Sequence, residues 1–493
     1  MTQYKIGESR LVDIADQVRR ISKTSEPLTV EEMVNTLSNY SPSLQDKTVT
    51  ENGTVTADAG YDGLGSVTVA VKCSDGDGGG SGDVDLSAIA SLLGDGEIDT
   101  YTEKDMYLVT VFDYDGTILK EQKLKKGSKF VLPSLPKHPR LKFHSWSSTV
   151  DVKNNTVTVP DYDVTIGPVY STVSGATEFD ITLTKGHGLT FSFVIPFEGA
   201  TRIDWGDGTV NTELSHEYAN YGDYTIKAYG ITSIGFDNRD GNRFDDTQTF
   251  PVKQILLGNT VNYLKQYALN YMALEQVSLS PNIKFNMEHY CQIYSYSLKH
   301  VTLPNSLTEI PGSSINDNEC LRSVVIPNTV TSIGDSAFSG NYNLRYACIP
   351  DSVTFIDSYA FEDCYDLESK IKIHSTITTI NDRTFEECRS LASISLAEGI
   401  EIICRNAFSD CPLSYVKFPS TLTIMNRNAF DSPVQCTYDL SAVKVIPTVN
   451  DGRYSAPIIC SHPLAKILVP AHLYDAWIVD PTWSNTAYAI EPV

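Results

Sequence analysis

One pattern of apolar and polar positions recurs through the second half of the chain. An apolar residue is followed by apolar residues at +3 and +5, usually Pro at +6, apolar residues at +9 and +12, and often Ala-Phe at +16 and +17. Units begin at Val252, Leu274, Leu298, Leu321, Leu344, Leu367, Leu391 and Leu413, at spacings of 22, 24, 23, 23, 23, 24 and 22 residues. A period of this length with conserved phase predicts a solenoid, in which each coil packs against its neighbours and has no core of its own. The Leu321 unit is complete: Leu321, Val324, Ile326, Pro327, Val330, Ile333, Ala337 and Phe338. Val324 and Ile326 are two apart and should point inward from a short strand, leaving Ser323 and Val325 to face out. Leu464, Ile467, Val469, Pro470 and Leu473 keep the register in a degenerate last unit, with Trp477 and Trp483 available to cover the end.

The first half follows other periods. Leu11, Ile14, Ala15 and Val18, then Val30, Met33, Val34 and Leu37, recur at helical spacing within residues 1–45. Residues 46–73 alternate Thr and Val around Asn52-Gly53, as a β-hairpin does. Residues 74–100 hold a glycine-rich linker. Two small β domains follow, over 101–172 and 173–232, with strands expected at Tyr107–Phe112, Lys129–Leu132, Thr156–Val159, Phe179–Leu183, Leu189–Ile195, Thr201–Trp205 and Tyr224–Tyr229. The solenoid occupies 233–433 and a C-terminal cap 434–493. The expected fold class is multidomain and mainly β: short N-terminal helices and a β-hairpin, two small β domains, and a C-terminal repeat solenoid.

Charge narrows the partners. A formal net charge of -23 argues against nucleic acid or an anionic membrane, either of which needs clustered Lys and Arg. No apolar run is long enough for a membrane helix, so no membrane insertion is expected, and the first residues lack the apolar segment of a signal peptide. The 10 cysteines form no disulfide framework. Cys364, Cys388 and Cys411 each lie three residues after a repeat Phe, and are read as small buried apolar residues needed once per coil, not as metal ligands.

Candidate chemistry is sparse. Asp113-Tyr114-Asp115-Gly116-Thr117 resembles the nucleophile loop of haloacid-dehalogenase-type phosphatases, but the segment after it is turn material and a hairpin turn is expected. His138, His144, His187, His216 and His289 show no zinc-binding spacing. No catalytic residue, metal site or cofactor is predicted, and the chain is read as a binding molecule and not an enzyme. Tyrosine stands out with 27 copies. Tyr263, Tyr267, Tyr271, Tyr290, Tyr294 and Tyr296 cluster in the least regular repeats and are the candidate binding residues, since tyrosine offers contact area and a hydroxyl at low entropic cost.

The template complete at Leu321, and repeated at Leu344 with Ala347 for its first Val, resembles the BspA-type leucine-rich repeat of surface and adhesion proteins. Trp205-Gly206-Asp207-Gly208-Thr209 with His216-Glu217-Tyr218 resembles a PKD-type immunoglobulin-like domain, in which Trp205 is core and Asp207-Gly208 a turn. Val109 through Trp146 to Tyr170 is similar to the β-grasp repeats of internalin-like proteins. The N-terminal segments, up to about residue 72, resemble those of tailed-bacteriophage structural proteins. These resemblances imply a virion protein in multiple copies, a tail fibre or tail-tip appendage, made in the host cytoplasm and released by lysis. Its N-terminal module would dock on other virion proteins and its solenoid on a host surface glycan or protein. A capsid-decorating head fibre and a bacterial cell-surface leucine-rich-repeat adhesin are the alternatives.

Overall fold

The computed structural model describes residues 106–193, 195–235, 251–270, 273–285, 293–431, 433–448, 465–480, 483 and 489–493. The helices expected over 1–45, the hairpin over 46–73 and the linker over 74–100 lie outside the described residues. The chain divides into two compact units, Met1–Met106 and Tyr107–Val493, and the second is described here together with the first residue of its leading strand.

Six strands open it: β1 (Met106–Phe112), β2 (Ile118–Lys125), β3 (Lys129–Val131), β4 (Leu141–Ser148), β5 (Thr156–Thr158) and β6 (Val164–Thr172). They form a four-stranded sheet in the order β2-β1-β6-β4, with β1 and β6 parallel, and a small β3-β5 ribbon. Val109, Val111, Phe130, Val157, Val164 and Ile166 close its core, as the alternation in these strands requires. All nine residues of β6 are nevertheless buried. A strand buried on both faces has a second partner, and here that partner is the solenoid.

The next strands are β7 (Thr177–Leu183), β8 (Thr190–Ser192), β9 (Phe197–Glu198), β10 (Arg202–Asp204), β11 (Val210–Asn211), β12 (Ser215–Glu217), β13 (Gly222–Tyr229), β14 (Ser233–Ile234) and β15 (Val252–Leu256). Trp205 is fully buried among them. Hydrogen bonding runs on from this domain into the repeats without a break. β7 pairs antiparallel with β15, which pairs parallel with Gln276–Ser278. β14 pairs antiparallel with β9 and parallel with Tyr263–Leu264. The domain therefore covers the first coil by continuing both of its strand columns, and one apolar core extends from Phe179 to Trp483.

Along the solenoid, one column of parallel strands runs through His300–Thr302, Ser323–Val325, Tyr346–Ala347, Ile371–Ile373, Ile394–Leu396, Tyr415–Lys417, Thr437–Asp439 and Lys466–Val469 to Ala489–Pro492. Every expected unit-starting residue from Val252 to Leu413 is at most 1% exposed. The repeat phenylalanines stack coil on coil, Phe361 on Phe385 and Phe385 on Phe408 each at 5.4 Å between ring centroids. At the far end Trp477 and Trp483 are both fully buried, 5.1 Å apart, and Trp483 Nε1 donates to Pro447 O at 3.0 Å.

Candidate recognition surfaces

Ser323 and Val325 were expected to face out from the strand column, and over the first part of that column the structure corrects this. Ser323–Val325 and His300–Thr302 are buried at all three positions, because β6 and its neighbours lie across them. Gly167 of β6 sits so close that an added Cβ would stand 2.2 Å from Thr302 Oγ1, and one on Gly116 would stand 2.8 Å from His300 Cβ. Polar contacts fix the seat. Ser147 Oγ donates to Leu303 O at 2.5 Å, Asn305 Nδ2 to Trp146 O at 2.9 Å, and Asn328 N to Ser148 O at 2.8 Å. The Asp163 carboxylate accepts from Leu108 N on its own sheet at 2.7 Å and from Lys370 N on the solenoid at 2.8 Å, while Lys372 Nζ pairs with Asp161 at 2.7 Å. Past this covered stretch the in-and-out alternation returns: Tyr415 and Lys417 are exposed on either side of buried Val416.

Of the predicted tyrosines, Tyr271 and Tyr290 lie outside the described residues. Tyr263 is 48% exposed on a strand of the second column, and Tyr267 is half-buried in a turn at φ 55°. Tyr294 and Tyr296 come together, the Tyr294 hydroxyl donating to that of Tyr296 at 2.7 Å with ring centroids 5.4 Å apart.

Tyr296 heads a row that reading by tyrosine density missed. Ser295 N donates to Asn318 Oδ1 and Asn318 N to Asn341 Oδ1, which brings the following residues, Tyr296, Glu319 and Tyr342, to one position in successive coils. Tyr365 and Arg389 continue it at the same spacing from the repeat Phe. The rings of Tyr342 and Tyr365 stack 5.0 Å apart at 22°, and the Arg389 guanidinium lies 4.3 Å from the Tyr365 centroid while pairing with Glu387. Tyr342 is 38% and Tyr296 37% exposed. Alongside runs a second row at positive φ: Asp317 (57°), Gly340 (73°), Asp363 (60°), Glu387 (61°) and Asp410 (60°). Burial, then the charges of Asp363 and Glu319, raise the Asp317 carboxyl above its ordinary range, and burial, then Glu387, does the same to Asp363. Burial, then Asp363, Asp317 and Glu319, raises the Tyr342 hydroxyl. The signal available in the sequence was phase: Tyr342 and Tyr365 each follow the repeat Phe by four residues.

The remaining candidates are accounted for by packing and turns. Asp113 N donates to Thr117 O at 2.7 Å and Thr117 N to Asp115 Oδ1 at 2.9 Å, so the Asp-Tyr-Asp-Gly-Thr string is the turn between β1 and β2. Asp207 caps its own turn through Thr209 N at 2.9 Å and holds His216 at 2.7 Å. Cys364, Cys388 and Cys411 are fully buried, and burial pushes the thiols of Cys364 and Cys388 far up. Each of the three donates to the carbonyl oxygen of the repeat Phe one coil back, at 3.3, 3.2 and 3.0 Å. Among the described residues no group of three or more His, Cys, Asp and Glu is placed to hold a metal. A groove of about 410 Å³ crosses the sheet where β13, β7 and β15 meet. Two of its carboxylates are already partnered, Asp180 by Thr225 and Arg140, both at 2.7 Å, and Asp223 by Thr182 at 2.5 Å.

With coil period, buried positions and strand columns in place, comparison with known proteins gives a match to the BspA-type leucine-rich repeat region in six copies, over residues 241–344 and 313–437. Residues 241–437 carry BspA-type leucine-rich repeats. No curated protein matches the chain. Among solved structures, a leucine-rich cell surface protein of Faecalibacterium prausnitzii is 20% identical, with a TM-score of 0.32 over 49% of this chain and 66% of that one. A leucine-rich repeat protein of T. pallidum is 22% identical, with a TM-score of 0.28 over 32% of this chain and 76% of that one. One from Bacteroides ovatus is 17% identical, with a TM-score of 0.24 over 61% of this chain and 100% of that one. The PKD-type, internalin-like and virion resemblances draw no support from these matches.

Proposed function

We propose that the chain is a surface-displayed adhesion protein without enzymatic activity, which holds a partner on the loops of its repeats. The observation that carries this is the row Tyr296, Glu319, Tyr342, Tyr365 and Arg389, one side chain per coil. The core places no demand on these positions, and at Tyr296 and Tyr342 they present large aromatic faces to solvent. Exposed tyrosine and arginine are the side chains that interfaces favour over the rest of a protein surface. The repeats provide a rigid array at a fixed coil spacing, and display in multiple copies multiplies weak contacts into firm attachment.

The test is antibody labelling and protease shaving of intact cells that make the protein. Label on the outer surface, lost on shaving, is the expected result. Label reached only after lysis would overturn surface display. Label on phage particles and not on cell envelopes would replace the cellular adhesin with a virion appendage, the reading to which the N-terminal segments up to about residue 72 point by resemblance.

A further inference from the structure

We propose that Tyr296, Glu319 and Tyr342 form a seat for an arginine side chain presented by a basic segment of a partner protein. The inference rests on reading the chain as a binding protein, but not on where it is displayed.

The chain already contains one example of the interaction. Arg389 lies over the Tyr365 ring, its guanidinium carbon 4.3 Å from the centroid, and is held there by the Glu387 carboxylate at 2.7 Å. A guanidinium over a tyrosine face with a carboxylate at its edge combines cation–π attraction with a charge-assisted hydrogen bond. At the other end of the same stack the ingredients recur without the cation. Tyr342 packs one face on Tyr365, and its coil neighbour in the opposite direction is Glu319, an exposed carboxylate that has Tyr296 beyond it. The stack therefore ends in an aromatic face beside a carboxylate, which a guanidinium from outside would extend by one layer.

The local charge favours such a guest. Gly340 occupies the acidic row beside Tyr342, and a Cβ there would stand 2.2 Å from Asp317 Oδ1. Having no side chain, Gly340 lets the Asp317 carboxylate lean across it. Asp317, Glu319 and Asp363 then bear on the Tyr342 hydroxyl, and burial, then repulsion from Asp363 and Glu319, holds the Asp317 carboxyl up. An incoming cation relieves that repulsion. Arginine suits the seat better than lysine because a planar guanidinium stacks on a ring and still donates in its own plane, whereas an ammonium is a compact, strongly hydrated point charge.

The experiment uses the full chain and two fluorescein-labelled peptides, hexa-arginine and hexa-lysine, followed by anisotropy. Because the whole chain carries a net charge of -23, Glu213→Gln, at an exposed carboxylate remote from the row, controls for general attraction. Hexa-arginine should bind more tightly than hexa-lysine. Tyr342→Ala should weaken the arginine peptide about three- to fivefold, the effect of one exposed cation–π contact. Glu319→Gln should weaken it too, while Tyr342→Phe and Glu213→Gln preserve binding. Equal affinity for the two peptides, equal losses in Tyr342→Ala and Glu213→Gln, or no binding of hexa-arginine would each overturn the seat. Such a failure alongside cell-surface labelling would remove the seat and leave the adhesion reading standing.

Discussion

The thiol of Cys388 donates to the carbonyl oxygen of Phe361, 3.2 Å away and one coil earlier, and so holds in its coil the post that Asn341 holds in another. Asn341 Nδ2 donates to Phe338 O at 2.7 Å and to Ile315 O at 2.8 Å, and its Oδ1 accepts from Asn318 N at 2.9 Å. One column thus changes from amide to thiol along the solenoid while keeping a single task, satisfying a buried carbonyl at each coil boundary. The two chemistries differ in how much depends on them.

Asn341→Ala removes three hydrogen bonds and strands the buried Asn318 N–H and the Ile315 carbonyl, while Phe338 O keeps only the Cys364 thiol, so it should cost about 2–4 kcal/mol. Cys388→Ala loses one weak bond and a small volume, and should cost about 1 kcal/mol. Urea unfolding of the two variants measures the difference; equal losses would mean that the amide column does not carry the load assigned to it.

His300 supplies a pH dependence. Its ring is completely buried between Ser323 and Thr302, with Nδ1 2.6 Å from Ser323 Oγ and Nε2 2.8 Å from Thr302 Oγ1, and with Phe112 and Gly116 packed on it from the docked domain. Burial holds its pKa down to about 3, with the nearby Asp115 charge pulling weakly the other way. Above about pH 6.5 folded and unfolded forms are both neutral. As pH falls from there toward 3, only the unfolded chain takes the proton, so stability declines by about 1.4 kcal/mol per pH unit. Between pH 7 and 5 this amounts to roughly 2 kcal/mol. The decline should be shallower by that amount in His300→Gln, compared by urea melts at the two pH values.

Gly167→Ala should lift the first β domain from the repeats without unfolding either, because its Cβ has no room against Thr302. Cys348 reports on this. It is 2% exposed and lies near Asp163 and Thr165 of that domain. Alkylation of Cys348 should accelerate at least about tenfold, in keeping with opening of a local interface, while the exposed Cys320 reacts alike in both proteins. Unchanged protection of Cys348 in a folded variant would show that the domain does not pivot on Gly167.

Trp483→Ala should cost about 3–5 kcal/mol and act locally. Coils exchange stability mainly with their neighbours, so hydrogen exchange should speed first at Thr437–Asp439 and Lys466–Val469, leaving β1–β6 protected. Uniform loosening of the whole chain would contradict this picture of the cap.

Much of the solenoid was legible because each coil must bury the same side chains in the same order, and Leu321, Val324, Ile326, Val330, Ile333 and Phe338 are all fully buried. The turns were not. Ser336, Tyr359, Arg383 and Asn406 occupy equivalent left-handed positions at φ 54°, 59°, 55° and 56°, and no residue type marks the place. Tyr342 and Tyr365 stack although they stand 23 residues apart in the chain, so no local density of tyrosine marks them and only their shared phase within the coil does. The docking of the first domain was hidden for a different reason. It joins residues far apart in sequence, as Ser147 and Leu303, and its one local sign is that β6, from Val164 to Thr172, carries no charged residue and has Gly167 and Pro168 near its middle.

That docked domain also sets where the molecule can grow. Its anchors are spread over several coils, Ser147 on Leu303, Asp151 on Asn328, and Asp161 and Asp163 on Lys372 and Lys370. Inserting one repeat between Leu303 and Lys370 would pull these anchors apart by about 4.8 Å, a full strand spacing, and break the footprint. A repeat added beyond Ile394 meets no such constraint. Length can vary toward the C-terminus alone, so reach is adjustable there while the clamped stretch keeps a fixed size.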